Sequence, residues 1–214
     1  MTLSQDIAAK AQSIVDTLTQ TDYQHVDNID PGAGIYDCDC NGFVAFVLRA
    51  VALQNFEEIP IDTQVGSVES RPRAFEYYDY FASLTPQSTG GWSHVDLLSD
   101  ARRGDIMAWR SPTIELHVNT GHVVILAETP TLEPSGKFYV VRVFDSAAEA
   151  HFDDTRMPHG QPSATGKTGV GSGVLSFKVD GAGRPIAYLF APPATAQYSY
   201  HPIAIGRAEP LTAR

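Results

Sequence analysis

Residues 38–56 read CDCNGFVAFVLRAVALQNF, and this stretch decides the fold. Between Asn41 and Phe56 the apolar residues leave almost no polar face, which is typical of a helix buried at the centre of a protein. Two cysteines, Cys38 and Cys40, stand directly before this helix. The stretch therefore predicts a central, buried helix with a cysteine at its N-terminus.

The segments on either side of this helix complete a mixed pattern. Ser4 is expected to cap a helix that starts near Gln5, in which apolar residues recur at helical spacing as far as Leu18. A short aromatic helix is predicted over Arg73–Leu84. Helices followed by a meander of strands indicate an α+β fold. The predicted strands are Ile106–Trp109, Gly121–Glu128, Phe138–Asp145, Gly173–Val179, Pro185–Phe190 and Ile203–Ile205.

Length and charge limit the classes of protein that fit. The 214 residues, without an internal repeat, predict a single domain over 1–214, in which 1–20 form the N-terminal helix and 191–214 a tail. The formal net charge of −10 disfavours nucleic acid as a partner. No apolar run reaches the ~20 residues of a membrane span. The N-terminus lacks a secretory pattern, which favours a cytoplasmic location unless the chain is a mature or trimmed form.

The two cysteines are not expected to form a disulfide or a metal site. Residues two apart on an extended chain point to opposite faces, so a bond between Cys38 and Cys40 would be strained. Structural zinc uses paired cysteine spacings, and no second pair is present. We therefore expect no metal and no cofactor. A redox or metal-binding Cys-x-Cys protein stays open as an alternative, in which both cysteines would matter equally.

Cys40 is placed where a thiol can become a nucleophile. A thiol attacks as the thiolate, and a helix N-terminus and a nearby imidazolium both favour that form. Asp39 or Asn41 is expected to help cap the helix. Gly42 leaves room for a substrate carbonyl, and the Cys40 N–H is available to an oxyanion. Cys40 is therefore the predicted nucleophile, and Cys38 is expected to be structural.

His122 is the predicted base. It opens the strand that follows Gly121, and a hairpin through the polar loop 129–137 would place it opposite Phe144 or Asp145. Directly opposed residues share a face of the sheet, so an Asp145 carboxylate could accept the imidazole N–H. The residues thus predict a set of Cys40, His122 and Asp145, with Asp145 as the orienter.

Other polar residues of this region receive simpler interpretations. His151 and His159 are expected to be solvated loop residues, although lining a cleft is an alternative. Gly169, Gly171 and Gly173 are interpreted as a flexible turn. A lone cysteine before an apolar helix is more often a small buried hydrophobe, and a strand histidine is more often structural.

Three ordered motifs resemble the NlpC-type cysteine peptidases, a papain-like family that cleaves peptidoglycan stem peptides. Asp39–Val44 (DCNGFV) resembles the family's Asp-Cys-Ser-Gly-Phe-Val signature, with Asn41 in place of serine. Arg103–Trp109 (RGDIMAW) resembles its Pro-Gly-Asp strand entry, and Gly121–Ile125 (GHVVI) its histidine strand. The family's third polar residue is commonly His, Asn or Gln, where this chain has Asp145. Its usual signal peptides and wall-binding repeats are not visible.

The resemblance implies a papain-like fold, with the nucleophile at the N-terminus of a buried helix packed on an antiparallel sheet. It implies a cysteine hydrolase that cleaves an amide or peptide bond through a thiol acyl-enzyme, on peptidoglycan-type peptides. An upstream tyrosine often lines the site in this family, so Tyr23, or else Tyr36, joins Asp39 as a predicted substrate-binding residue. An acyltransferase on the same scaffold and a non-catalytic binding module are the alternatives.

Overall fold

The computed structural model describes residues 2–61, 71–87, 90–115, 119–157, 168–190 and 197–211. Within these residues four α-helices pack against a curled antiparallel sheet. The predicted α+β class is therefore confirmed. No helix in this part of the chain combines the length and the apolar character that crossing a bilayer requires.

The first helix begins earlier than its sequence pattern indicated. The helices are α1 (Leu3–Thr17), α2 (Cys40–Val51), α3 (Leu53–Glu57) and α4 (Ala74–Ser83), with a 3-10 turn at Leu98–Asp100. Ser4 was the predicted cap of α1, and this is wrong. Thr2 is the N-cap, because its hydroxyl accepts the Gln5 N–H while the Gln5 side chain accepts the Thr2 N–H. Ser4 lies inside the helix and donates a hydrogen bond to the Ala208 carbonyl.

The predicted helix over 41–56 is interrupted. Ala52 has φ −145° and ψ 45°, so α2 ends at Val51 and α3 starts afresh at Leu53. The break leaves the Leu53 side chain 50% exposed, although the apolar pattern placed it in the core. The first six residues of α2 are all buried, as predicted for a central helix. The predicted helix over Arg73–Leu84 is α4, one residue shorter at each end.

A single antiparallel sheet contains most of the strands. The strands are β1 (Asn28–Asp30), β2 (Ile35–Asp37), β3 (Trp92–His94), β4 (Ile106–Glu115), β5 (Asn119–Leu126), β6 (Thr131–Leu132), β7 (Tyr139–Ala147), β8 (Gly169–Val179), β9 (Pro185–Leu189), β10 (Ser199–Tyr200) and β11 (Ile203–Ala208). β1 and β2 form a separate hairpin. In the large sheet the order is β10-β9-β8-β7-β5-β4-β11-β3, and β6 pairs with β7.

One segment expected to be irregular is a strand of this sheet. Gly169, Gly171 and Gly173 belong to β8, so the predicted flexible turn is wrong. The strand predicted at Ile203–Ile205 in the tail is present as β11 and is longer. The described part of the tail, 197–211, returns to the sheet, where β11 pairs with both β4 and β3.

The register of β5 against β7 differs from the predicted one. Ile125 pairs with Phe144 and Leu126 pairs with Val143. Continuing this register would set His122 opposite Ala147, rather than opposite Phe144 or Asp145. Asp145 is then two residues from the position opposite His122, and an offset of two keeps both side chains on one face of the sheet.

Two apolar clusters lie on opposite faces of the sheet. Val123 and Ile125 pack with α1 and α2 in the first cluster, whereas Val124 and Leu126 belong to the second. This alternation is the period-two pattern of a strand buried on both faces. By the same alternation His122 lies on the face of Val124, where its ring packs against Trp109 and Phe190 of the second cluster.

Candidate active site

The first turn of α2 is held by a dense set of polar contacts. Asp39 is the N-cap, and its Oδ1 accepts the Gly42 N–H at 2.8 Å. Oδ1 also lies 3.0 Å from Arg71 Nη1, and Oδ2 lies 3.2 Å from His25 Nδ1. Both carboxylate oxygens are thus engaged, and Asp39 is 3% exposed. The structure gives Asp39 a capping role, and its contact with substrate stays a prediction.

Gly42 is required for a reason other than substrate access. A Cβ at this position would lie 2.3 Å from the Asp27 Oδ1. Asp27 is paired with Arg71, whose Nε lies 3.1 Å from Asp27 Oδ2. Because Gly42 has no side chain, Asp27 can pack against it while it is paired with Arg71. Arg71 also contacts the helix cap Asp39.

The predicted set of Cys40, His122 and Asp145 is brought together. Cys40 is the first residue of α2, and its thiol lies near enough to the His122 imidazole for its negative charge to raise the pKa of His122. His122 Nε2 lies 2.7 Å from Asp145 Oδ2. Because Nε2 faces the carboxylate, Nδ1 is the ring nitrogen left for the thiol. The imidazole thus bridges the sulfur and the carboxylate.

Aromatic rings hold His122 at the head of β5. Its ring centroid lies 5.1 Å from those of Trp109 and of Phe190. Trp109 is directly opposite His122 on β4. The imidazole is 8% exposed, so its orientation is set by packing as well as by hydrogen bonds.

Asp145 is the centre of a larger network that the sequence did not indicate. His151 Nε2 lies 2.8 Å from the same Oδ2 that binds His122. Arg156 Nη2 donates to Asp145 Oδ1 at 3.0 Å and to Asp154 Oδ2 at 2.7 Å. His151 and Asp145 are fully buried, so the expected solvated role of His151 is wrong. His159 lies outside the described residues.

A signal for this network was present in β8. A Cβ on Gly171 would lie 2.7 Å from Arg156 Nε, and one on Gly173 would lie 2.5 Å from Asp154 Oδ2. Glycines at alternate positions leave one face of a strand bare, which favours the close approach of another segment. The alternating Gly171 and Gly173 thus marked a packing surface for the loop 151–156.

Electrostatics favour a charged imidazole beside the thiol. Burial alone lowers the pKa of His122, but the negative charge of Cys40 and the hydrogen bond to Asp145 outweigh it and raise the pKa to about 9. Burial opposes the charge of Asp145, yet His151 and Arg156 hold the pKa of this carboxyl well below its usual range. At neutral pH the geometry therefore supports an imidazolium next to the thiol and an ionised Asp145.

Cys38 differs from Cys40 in its surroundings. Both thiols are free. Burial, with the charges of Asp27 and Asp39, raises the pKa of Cys38 far above its ordinary value. The Cys38 carbonyl accepts a hydrogen bond from Ser146 Oγ at 2.5 Å. This contact links the segment before Cys40 to β7, the strand that contains Asp145.

Of the two candidate tyrosines, Tyr23 stands beside the thiol. Burial, followed by the charges of Cys40, Asp39 and Asp145, raises the pKa of Tyr23 well above its ordinary value. Its hydroxyl therefore stays protonated and able to donate a hydrogen bond. Tyr36 instead packs edge-on against Phe46, with ring centroids 5.6 Å apart, in the core on the helix side of the sheet.

The candidate site is nearly enclosed, since Cys40 is 3% exposed. A cavity of about 320 Å³ lies elsewhere, along α4, and none of Cys40, His122 and Asp145 lines it. Its walls are Pro60, Ile61, Phe75, Glu76, Asp79, Tyr80 and Ser83. We place the candidate site at Cys40 because the hydrogen-bonded titratable groups converge there, which a cavity alone does not provide.

The fold and the site together define an α+β protein with a cysteine–histidine–aspartate set at the start of a buried helix. No protein-family model, no curated protein and no solved structure matches this chain.

Proposed function

We propose that this protein is a cysteine hydrolase that cleaves an amide or peptide bond through a thiol acyl-enzyme. The observation that carries the proposal is the position of His122, whose imidazole lies beside the Cys40 thiol and is hydrogen-bonded through Nε2 to the buried Asp145. A nucleophile, a base and an orienter in this order are the parts that covalent acyl transfer needs. If His122 had only a structural role, a thiol beside it at the N-terminus of a helix would not be needed.

The geometry supports a two-stage reaction. The Cys40 thiolate attacks the substrate carbonyl carbon, and the developing oxyanion can bind N–H groups of the first turn of α2, which no carbonyl of that helix accepts. His122 gives its Nδ1 proton to the leaving nitrogen as the C–N bond breaks, which leaves a thioester on Cys40. Neutral His122 then takes a proton from water, and the hydroxide releases the acid and restores the thiolate.

The sequence motifs support the class of substrate. The ordered resemblance of Asp39–Val44, Arg103–Trp109 and Gly121–Ile125 to NlpC-type peptidases favours a papain-like arrangement and peptide bonds of the peptidoglycan type. Asp145 lies on β7, the strand beside the histidine strand β5. We propose that it replaces the His, Asn or Gln of that family as the orienter. Tyr23, adjacent to the thiol, is the proposed substrate-contacting tyrosine.

Acyl transfer is the closest alternative, because an amine or alcohol in place of water would resolve the same thioester. Product analysis with added acceptors distinguishes the two outcomes: hydrolysis releases the free acid, whereas transfer gives a new amide or ester. A binding module that kept the fold would give neither product.

The matched variants Cys40→Ala and Cys38→Ala test the proposal. We expect Cys40→Ala to lower turnover of peptide amides, including muropeptide stem peptides, by roughly 10³-fold or more. Cys38→Ala should keep most of the activity. Iodoacetamide followed by peptide mapping of the folded protein should label Cys40 and spare Cys38. Full turnover by Cys40→Ala, or equal loss in both variants, would exclude the proposed nucleophile.

A further inference from the structure

His151 is buried between two oxygens that can only accept hydrogen bonds from it. Its Nε2 lies 2.8 Å from Asp145 Oδ2, and its Nδ1 lies 3.0 Å from the carbonyl oxygen of Phe190. The side chain is fully buried, so water does not supply either partner. A neutral imidazole has one N–H and one bare nitrogen, and the bare nitrogen would then face an oxygen lone pair.

We propose that His151 is a doubly protonated positioning residue, which clamps Asp145 and limits how strongly this carboxylate holds the proton of His122. A carbonyl oxygen never donates, and Arg156 Nη2, 3.0 Å from Asp145 Oδ1, favours the ionised form of Asp145. Both ring nitrogens of His151 therefore have to carry a proton for both contacts to be hydrogen bonds.

The charged groups around this pair of histidines balance in number. The loop 151–156 contributes Asp154. Its Oδ2 accepts hydrogen bonds from the backbone N–H of His151 at 2.7 Å and from Arg156 Nη2 at 2.7 Å. β7 contributes Asp145, and α2 contributes Cys40 facing His122. With His151 charged, three cations face three anions inside a buried cluster. A neutral His151 would leave one negative charge uncompensated, which burial penalises.

The arrangement has a consequence for His122. Two imidazoles share one carboxylate oxygen, so a positive His151 repels the proton of His122 and competes for Asp145. Without the charge on His151, Asp145 would attract the proton of His122 more strongly. The neighbouring Tyr23 stays neutral and does not replace this charge. We therefore expect His151 to determine the pH at which His122 deprotonates.

The first test uses the unmodified protein and needs no substrate. NMR of ¹⁵N-histidine-labelled protein at neutral pH, assigned with His151→Gln, should show one-bond N–H couplings on both ring nitrogens of His151. A single protonated nitrogen would overturn the proposal.

The second test compares His151→Gln with His201→Gln. His201 also donates from Nδ1 to a backbone carbonyl oxygen, that of Arg110 at 3.1 Å, but this bond lies on another part of the sheet. We expect His151→Gln to move the NMR titration of His122 to higher pH by roughly one pH unit, with the alkaline limb of activity following it. His201→Gln should move neither. A purely structural role for His151 would lower stability or kcat without moving the titration.

The role of His151 rests on the proposed function only where activity is measured. If no variant or wild-type protein turns over any peptide, the His122 titration still decides the role of His151. Conversely, an unmoved titration in His151→Gln with a fully Cys40-dependent activity would overturn this role and leave the hydrolase intact.

Discussion

Cys38 and Cys40 lie two residues apart and differ in what surrounds them. Cys38 is enclosed by apolar side chains and by carboxylates that oppose a thiolate. Cys40 lies at the N-terminus of α2, beside the His122 imidazole. The helix terminus and the imidazole both favour a negative sulfur. At the scale of single residues, position within the backbone therefore separates the two thiols.

The raised pKa of His122 predicts the pH range of activity. Because the imidazolium is kept by Cys40 and Asp145 up to about pH 9, kcat/KM for peptide cleavage should fall as pH rises through about 9. An alkaline limb near the ordinary histidine value of about 6.5 would contradict the proposed thiolate–imidazolium pair.

The raised pKa of His122 also makes the stability of the folded protein depend on pH. A pKa raised on folding stabilises the folded state fully below the unfolded value of about 6.5, and this contribution is lost as pH rises through about 9. Urea unfolding of wild-type protein and His122→Gln should therefore differ less at pH 9.5 than at pH 6, by roughly 1 kcal/mol or more. A constant difference over this range would contradict the raised pKa.

The element that shapes the site is β8, with its bare glycine face. Gly171 is paired with Asp145 across the β7–β8 ladder, and Arg156 lies over it to reach the Asp145 carboxylate. The hairpin β4–β5 brings Trp109 against His122. Sheet pairing and a close-packed loop, rather than neighbours in sequence, thus assemble the polar network.

Adding one methyl group to β8 should disturb this network. In Gly171→Ala the new Cβ would meet Arg156 Nε at 2.7 Å, so we expect a loss of about 1–3 kcal/mol in the free energy of unfolding. Gly181→Ala is the control, because nothing lies within 4 Å of its Cβ, and it should change stability by about 0.5 kcal/mol or less. Urea unfolding measures both, and equal effects would show that the contact with Arg156 is not constraining.

At the scale of the whole molecule, the segment that follows the β8–β9 hairpin adds the strand β11 to the large sheet. β11 enters the sheet between β4 and β3, far from its neighbours in sequence. Arg207 of this strand donates to the buried Asp105 carboxylate from Nε at 2.9 Å and from Nη2 at 2.7 Å. Asp105 also accepts the Arg102 N–H at 2.8 Å. The strand β11 is thereby fixed to the turn that precedes β4.

Breaking this tie should destabilise the protein as a whole. Arg207→Met leaves the fully buried Asp105 without its cation, which we expect to cost about 3 kcal/mol. Arg184→Met removes an exposed partner of Asp180 and should cost about 0.5 kcal/mol or less. Thermal and urea unfolding at neutral pH compare the two variants. If Arg207→Met lowers the free energy of unfolding no more than Arg184→Met does, the Arg207–Asp105 pair does not fix β11 in place.

Local patterns in the sequence were sufficient for the parts of this protein that depend on near neighbours. The apolar run after Cys40 predicted the buried helix, and alternating apolar residues predicted most strands of the large sheet, because periodicity reports which faces are buried. The same patterns singled out Cys40, His122 and Asp145. The break at Ala52 and the Thr2 cap escaped detection, since single-residue backbone angles and competing caps leave little trace in periodicity.

Tertiary structure alone decided which distant groups meet. The register of β5 against β7 differs from the one predicted through the loop 129–137, and the observed register brings His122 to Asp145. The folding of residues 151–156 onto the β8 glycines places His151 and Arg156 on the same carboxylate. Such contacts depend on hydrogen bonds and packing between segments far apart in the chain, which composition and spacing do not encode. The sequence thus predicted Cys40 as the nucleophile and determined the helix that begins there, because near neighbours set that helix. The electrostatic surroundings of Cys40 depend on contacts between distant segments, which only the tertiary structure sets.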